Sequence, residues 1–377
     1  MTLANHETRE YTGIVLERLK HLPEGGKMGD LPTHLQHESF IRKGDKKTGG
    51  PNMRLLRLEM DKPSLTVTAY IFNKFVHPVE DRYITPREAA CLQDFPIDYE
   101  FKGTLGQVHT QIGNAVPIKL ASAIAREFKN YFSRCNKGGT LKIASYFTGA
   151  GGLDIGFEQV SDKKIKFETA FSTDIEDWAE KTINHNKPQW NFLRADIREL
   201  DPKKVERIIG GKPNIVIGGP PCQPFSVAGK QKATNDPLGV LYRDYIRHIQ
   251  YLDPEIVLME NVYGLAQIKS VNMIDEIYKS FTDIGYEITH RELVAADYGT
   301  PQKRRRLFFV AAKKLHNFQF PAPTHCETKN LLGLPLYSGA GKSIINLPPA
   351  KIINNSNTDD SRLDSKKLKK KSLTAKK

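Results

Sequence analysis

From about Leu141 onward, short apolar runs alternate with stretches of helical period. Lys142–Gly149 (KIASYFTG) is an apolar run ending in glycine. Lys166–Asp174 (KFETAFSTD) predicts a second strand, followed by a helical pattern through Asn186. Pro213–Pro221 (PNIVIGGPP) and Pro254–Val262 (PEIVLMENV) are nearly all apolar, the pattern of strands buried on both faces. A helix is expected over Asp244–Leu252. Arg304–Ala312 (RRRLFFVAA) predicts a late strand in a hairpin with Arg291–Ala296. This alternation predicts an α/β fold, a doubly wound and largely parallel sheet. Its functional crevice is expected at the carboxyl ends of the strands.

The flanks carry no such period. The first 80 residues mix glycines, basic residues and brief apolar runs, and residues 320–365 cluster Pro, Gly, Asn and Ser. Both are expected to be loop-rich. Between them and the sheet, Pro86–Leu92 and Pro117–Phe132 predict helices. The second carries Ile118, Leu120, Ala121, Ile124, Ala125 and Phe128 at helical spacing. Asn136–Thr140 then turns the chain into the first sheet strand. No internal repeat is evident.

Composition narrows the class. With 377 residues, 39% hydrophobic and 26% charged, the chain reads as two or three soluble domains with ample core. No apolar run is long enough to span a bilayer, and the start MTLANHETREYTGIV does not read as a secretory leader. Four cysteines (Cys91, Cys135, Cys222 and Cys326) form no CxxC pair, so neither a zinc finger nor a disulfide framework is expected. The net charge of +13 suggests a polyanionic partner. Lys366–Lys377 holds seven lysines and no acid, the composition of a solvated, disordered tail.

Four clusters carry chemistry. Phe147-Thr148-Gly149-Ala150-Gly151-Gly152 falls between a strand and a helix, where glycines admit a ligand and the helix offers free N–H groups. Asp174 ends the next strand, where a carboxylate would take the hydroxyls of a nucleotide ribose. Gly218–Ser226 (GGPPCQPFS) places Cys222 directly after a buried strand, in a Pro- and Gly-flanked loop suited to presenting a thiol rather than burying one. A phosphatase reading fails, since Ala228 stands where that chemistry needs arginine. Met259-Glu260-Asn261-Val262 ends a buried strand with a carboxylate and an amide, costly there unless satisfied or used. Gln302-Lys303-Arg304-Arg305-Arg306 opens the late strand, and alternation puts Arg304 and Arg306 on one face and Arg305 on the other.

Taken together, these motifs resemble the DNA (cytosine-5) methyltransferase family over roughly Tyr83–Val310. FTGAGG is similar to its first S-adenosyl-L-methionine (AdoMet) motif, PPCQPFS to its nucleophile motif, ENV to its acid motif and QKRRR to its Gln-x-Arg-x-Arg motif. GKQKATNDPLGVLYRDYIR, after the nucleophile, also resembles the family. The order differs. YITPREAACLQDFP (Tyr83–Pro96) and QIGNAVP (Gln111–Pro117) resemble the two motifs that normally close the chain, yet here they precede the first. The resemblance therefore implies a circular permutation.

It also implies a Rossmann-like catalytic domain over 141–318, with the permuted closing motifs at 81–135 packed on it. The small, loop-rich target-recognition domain would be split. Its far half would lie in 1–80, where Leu16–Pro32 and Ser64–Ala69 are similar to it. Its near half would lie in 319–365, where Phe320–His325 and Ile344–Ala350 are similar. Residues 366–377 remain the tail.

By resemblance Cys222 is the nucleophile that adds to cytosine C6, and Glu260 holds a proton at N3 and bonds the exocyclic amine. Arg306 contacts the O2 side, and Arg304 supports the pocket or a phosphate. Gln302, Asn261 and Ser226 organise the site or touch DNA. AdoMet would lie against Phe147, Gly149 and Gly151, with Asp174 on its ribose and Asp196 on its adenine. Pro221 and Leu241 would pack on it, and Asn114 would meet its methionine end. Arg42, Lys43, Lys46, Lys47, Arg54 and Arg57 are expected to bind phosphates of duplex DNA. The implied protein is a monomeric, metal-free, cytoplasmic bacterial modification methylase, on the nucleoid when bound to DNA. The alternatives are an RNA cytosine methyltransferase on the same scaffold and a catalytically silent DNA-binding regulator.

Overall fold

A computed structural model describes residues 3–37, 55–69, 74–221, 237–262, 273–331 and 333–353, with side chains from 241 onward in the fourth stretch. Cys222–Ser226, Arg42, Lys43, Lys46, Lys47, Arg54 and the lysine tail lie outside these residues.

The strands are β1 (Glu7–Arg9), β2 (Leu56–Arg57), β3 (Ser64–Leu65), β4 (Phe75–Val76), β5 (Gly139–Tyr146), β6 (Ile165–Asp174), β7 (Phe192–Arg194), β8 (Ile215–Gly218), β9 (Ile256–Val262), β10 (Glu287–Val294), β11 (Gln302–Lys303), β12 (Arg305–Ala312) and β13 (Lys351–Ile353). The α-helices are α1 (Gly13–Lys20), α2 (Pro86–Cys91), α3 (Leu105–Asn114), α4 (Ile118–Arg134), α5 (Gly152–Gln159), α6 (Asp177–Asn186), α7 (Pro202–Ile209), α8 (Pro237–Leu252) and α9 (Met273–Asp283).

Seven strands form one sheet in the order β10-β12-β9-β8-β5-β6-β7. Every pairing from β9 to β7 is parallel, and β12 runs antiparallel to both β9 and β10. This is the expected doubly wound α/β sheet with its late hairpin. The strand order reverses between β5 and β8, so the crevice opens beyond Tyr146 and Gly218.

Period-two alternation divides the core. Ile215 and Ile217 join a layer containing Ile124, Phe128, Phe157 and Leu258, while Val216 joins the opposite layer with Tyr245, Ile249, Val257 and Phe281. Helix α4 supplies the first layer because Leu120, Ala121, Ile124, Ala125, Phe128 and Phe132 share its buried face. It lies so close to α5 that a Cβ built on Gly156 would meet Ala121 Cβ at 2.3 Å, so only glycine fits that crossing.

The first and last described strands meet. β1 pairs parallel with β13, with Glu7, Thr8 and Arg9 opposite Lys351, Ile352 and Ile353. Ala340, Gly341 and Lys342 donate backbone N–H groups to Lys62, Glu59 and Met60 carbonyls at 2.8, 2.9 and 3.1 Å. Ala340 and Ile344 share a buried cluster with Leu58, Val67, Phe75, Leu92 and Phe95. No described helix is long and apolar enough to cross a membrane.

Candidate active site

The loop after β5 is held in a strained form. Phe147 has φ +54°, a left-handed conformation that non-glycine residues rarely adopt. Thr148 N donates to Thr173 O at 3.1 Å and Gly151 N to Thr148 O at 2.8 Å, which closes the turn. Beneath it, fully buried Asp154 accepts hydroxyl bonds from Ser145 (3.0 Å) and Thr169 (3.1 Å), and Thr148 Oγ1 donates to Ser145 Oγ at 3.1 Å. Burial raises the Asp154 carboxyl to about 7, against the pull of those two hydroxyls.

Asp174 faces the loop. Its Oδ2 accepts from Gly149 N at 2.9 Å and its Oδ1 from Glu176 N at 3.1 Å. Burial raises its pKa, and the two N–H groups oppose the rise. Among the described residues, none beyond its chain neighbours comes within 4 Å of where a Cβ on Gly149 would stand, so the loop presents open backbone there. Gly151 is the N-cap of α5 and packs on Trp190. Phe147 and Leu241 pack against the same core layer, and exposed Ile175 follows Asp174. Asp196 lies beyond β7 with Arg198 chelating its carboxylate, which lowers its pKa. Asn114 ends α3, with its side chain exposed. The structure thus gathers Phe147, Gly149, Gly151 and Asp174 into direct contact or continuity. It places Asp196 on the adjoining strand end.

The second cluster forms where β8 and β9 end and β12 begins. Arg306 lies opposite Val262, and Phe308 opposite Glu260. Arg306 Nε stands 2.8 Å from Glu260 Oε1, with side chains 15% and 14% exposed. That N–H is not aimed along the line of contact, so the link is an ion pair without an aligned hydrogen bond. A Cβ built on Gly219 would lie 3.0 Å from Glu260 Oε2, and Asn261 Nδ2 donates to Pro220 O at 3.2 Å. Glu260 and Asn261 therefore abut the Gly219–Pro221 segment that leads to Cys222.

Arg304 and Arg306 face inward and Arg305 outward, where it pairs with Glu292. Fully buried Arg304 donates to Val67 O at 2.8 Å and Asn114 O at 3.3 Å. Burial and nearby Arg306 lower its pKa, while Glu260 opposes them. Gln302 accepts from Val67 N at 2.8 Å and donates to Leu92 O (2.8 Å) and Gln93 Oε1 (2.9 Å). The Gln-x-Arg-x-Arg stretch is thus a knot joining residue 67, residues 92–93 and the end of α3.

One expectation is corrected. Arg57 is buried and spent internally, on the carbonyls of Leu19, Leu22, His77 and Glu80 and on Asp81, so it has no N–H to offer a phosphate. Its neighbours in sequence, LLRLEM, already held the signal, since an arginine within an apolar run faces the core. The supporting group Asp154 carries no sequence signal, because it acts through Ser145 and Thr169, and Gln93 is marked only as part of the Tyr83–Pro96 motif. Among the described residues, no group of His, Cys, Asp and Glu is placed to hold a metal ion.

Residues 17–130 and 141–377 match the family model described as C-5 cytosine-specific DNA methylase. The Type II methyltransferase M.FnuDI of Fusobacterium nucleatum is 34% identical over 223 residues, covering 58% of this chain and 60% of the relative. M.NgoPII of Neisseria gonorrhoeae is 34% identical, covering 52% and 55%. M.AquIA of Picosynechococcus sp. is 32% identical, covering 55% of this chain and 90% of the relative. The chain spans 60%, 51% and 55% of the length of the first three curated relatives it matches. The chain belongs to the C-5 cytosine-specific DNA methylase family.

Proposed function

We propose that this chain is a DNA (cytosine-5) methyltransferase that moves a methyl group from AdoMet to C5 of a cytosine flipped out of duplex DNA. The observation that carries the reading is the Glu260–Arg306 pair, set against Gly219 at the mouth of the segment leading to Cys222. The loop residues fit a nucleoside donor. The open side of Gly149 leaves room for one, and the Asp174 carboxylate stands beside it. Phe147, Gly149, Gly151, Asp174, Asp196, Pro221, Leu241 and Asn114 would hold AdoMet. When bound, AdoMet supplies an electrophilic methyl group on its sulfonium.

Cytosine C5 is a poor nucleophile. Addition of the Cys222 thiolate at C6 makes the ring enamine-like, so that C5 could attack the donor's methyl carbon, with the carbon–sulfur bond breaking to leave a neutral thioether. Glu260 holds a proton at N3 and accepts from the exocyclic amine, offsetting the negative charge that the addition builds on the ring. Arg306 meets the O2 side, and Arg304 fixes the pocket wall from behind. C5 then loses its proton to water and Cys222 leaves. A base inside a duplex cannot reach this site, so it must flip out, at a cost of a few kcal/mol.

The recognition surface would assemble from residues 1–80 and 319–365 of a single chain, around the catalytic body of 81–135 and 141–318. The β1–β13 pairing and the packing of 340–342 on 59–62 support that arrangement and the circular permutation behind it. That the relatives are Type II methyltransferases supports a modification role beside a restriction enzyme.

Tritiated AdoMet offered with duplex DNA and tRNA in competition tests the substrate. Label is expected in duplex DNA, and label confined to tRNA would reverse the choice. A covalent complex with 5-fluorocytosine DNA would exclude a silent regulator. Cys222→Ala is expected to lose transfer and keep AdoMet binding, and turnover at the wild-type rate would refute the assignment.

A further inference from the structure

We infer that the N-terminal residues Ala4–Asn5, acting through Arg87 and Tyr99, clamp the Phe147–Gly152 loop and so set the affinity for the methyl donor. The inference rests on that loop being the AdoMet site.

Tyr99 is buried, and its hydroxyl donates to the Ala150 carbonyl at 2.8 Å, inside the loop. Its ring packs against Phe95 and Phe101, with centroids 5.2 and 5.4 Å away. Its own carbonyl accepts from Arg87 Nη2 at 2.5 Å. The other two guanidinium bonds of Arg87 go to Pro96 O and Ala4 O, each at 3.1 Å. Fully buried Arg87 thus ties the first residues of the chain to the peptide that carries Tyr99. Asn5 completes the tie. Its carbonyl accepts from Arg87 N at 2.8 Å, its Nδ2 donates to Phe101 O at 3.0 Å and its Oδ1 accepts from Phe101 N at 2.9 Å.

The same strip reaches the other wall of the nucleoside site. Asn186 in α6 exchanges bonds with Glu100 N (2.9 Å) and Glu100 O (2.8 Å), and Thr182 Oγ1 accepts from Lys102 N at 2.9 Å. Helix α6 follows directly on Asp174. Residues 99–102 therefore bridge the glycine loop and the element behind the ribose carboxylate. Ala4–Asn5 lock that bridge from the far side. Tyr99 touches the loop backbone, so it is a positioning residue. Loop placement within about half an ångström decides how well such a site holds its ligand.

Tyr99→Phe keeps the ring and removes only the hydroxyl. The expected result is a Kd and KM for AdoMet raised about tenfold, with a smaller effect on kcat, while the unliganded protein melts within a few degrees of wild type. Asn5→Ala is expected to raise the AdoMet Kd in the same direction, by about threefold. Hydrogen exchange of the amides of Thr148–Gly152 is expected to quicken in both variants. A merely structural role would lower the melting temperature and leave the Kd of the folded protein unchanged. If wild type binds AdoMet and Tyr99→Phe binds it equally well, the clamp is overturned. If wild type binds no AdoMet, the proposed function fails first. Exchange in the loop then decides the clamp alone, faster exchange upholding it and unchanged exchange overturning it.

Discussion

Glu260 and Arg306 show how an ion pair can be poised for use. Each retains partial exposure, and the guanidinium N–H points off the line between them, so an entering base can take both partners. Glu260→Gln keeps the shape and removes the carboxylate that could carry a proton to the base. It should lower kcat by about 10²- to 10³-fold and leave AdoMet affinity within about twofold, as single-turnover rates and calorimetry would show. Asp154 makes a different kind of prediction. Its folded-state pKa of about 7 lies above its unfolded value of about 3.9. The native state therefore holds a proton between those limits that the unfolded chain releases. The stability contributed is complete below about pH 4 and is lost as pH rises through about 7. Asp154→Asn removes that loss. Urea titrations of both proteins at pH 5 and pH 8 should show the variant gaining on wild type at the higher pH; an equal difference at both would refute it.

At the scale of elements, α4 and α5 are welded at one point. Gly156→Ala forces a Cβ into Ala121 at 2.3 Å and should cost about 1–3 kcal/mol, read as a lowered urea midpoint at constant m-value. The sheet strands were legible because burial writes itself into composition. All four residues of β8 (IVIG) are buried, and an apolar run of that length after Pro and before Gly-Gly-Pro has few other solutions. Helix α4 was legible for the same reason, through the spacing of its buried face. The sequence pattern predicts no helix over α1, α3, α7 or α9. The two-residue strands β2, β3, β4 and β11 exist only through partners elsewhere, as when Ser64 and Leu65 pair with Gln302 and Lys303 across more than 230 residues. No local pattern encodes such a pairing. The site divides the same way. Glu260 and the inward arginines could be placed from strand alternation, whereas the Gln302 knot, the Asp154 network and the Tyr99 clamp are contacts between distant segments.

At the scale of the whole molecule, the chain begins beside the place where its described residues end, at β1 and β13. Domain termini that lie close together are what allow a chain to be opened elsewhere and still fold. Truncation after Leu347 removes β13 and the Pro348 carbonyl that His6 Nε2 meets at 2.7 Å, and should lower Tm by several degrees. The net charge of +13 predicts that DNA affinity falls steeply with salt, with a log–log slope near −0.9 per phosphate contacted; a flat salt dependence in a binding titration would contradict phosphate engagement. Methylation itself can be read without knowing the recognition sequence. Plasmid from cells expressing the wild-type chain and from cells expressing Cys222→Ala would be bisulfite-sequenced. Unconverted cytosines recurring in one sequence context, in the wild-type plasmid only, are the expected result; complete conversion in both plasmids, with both proteins soluble and expressed, would contradict cytosine-5 methylation of DNA by this chain.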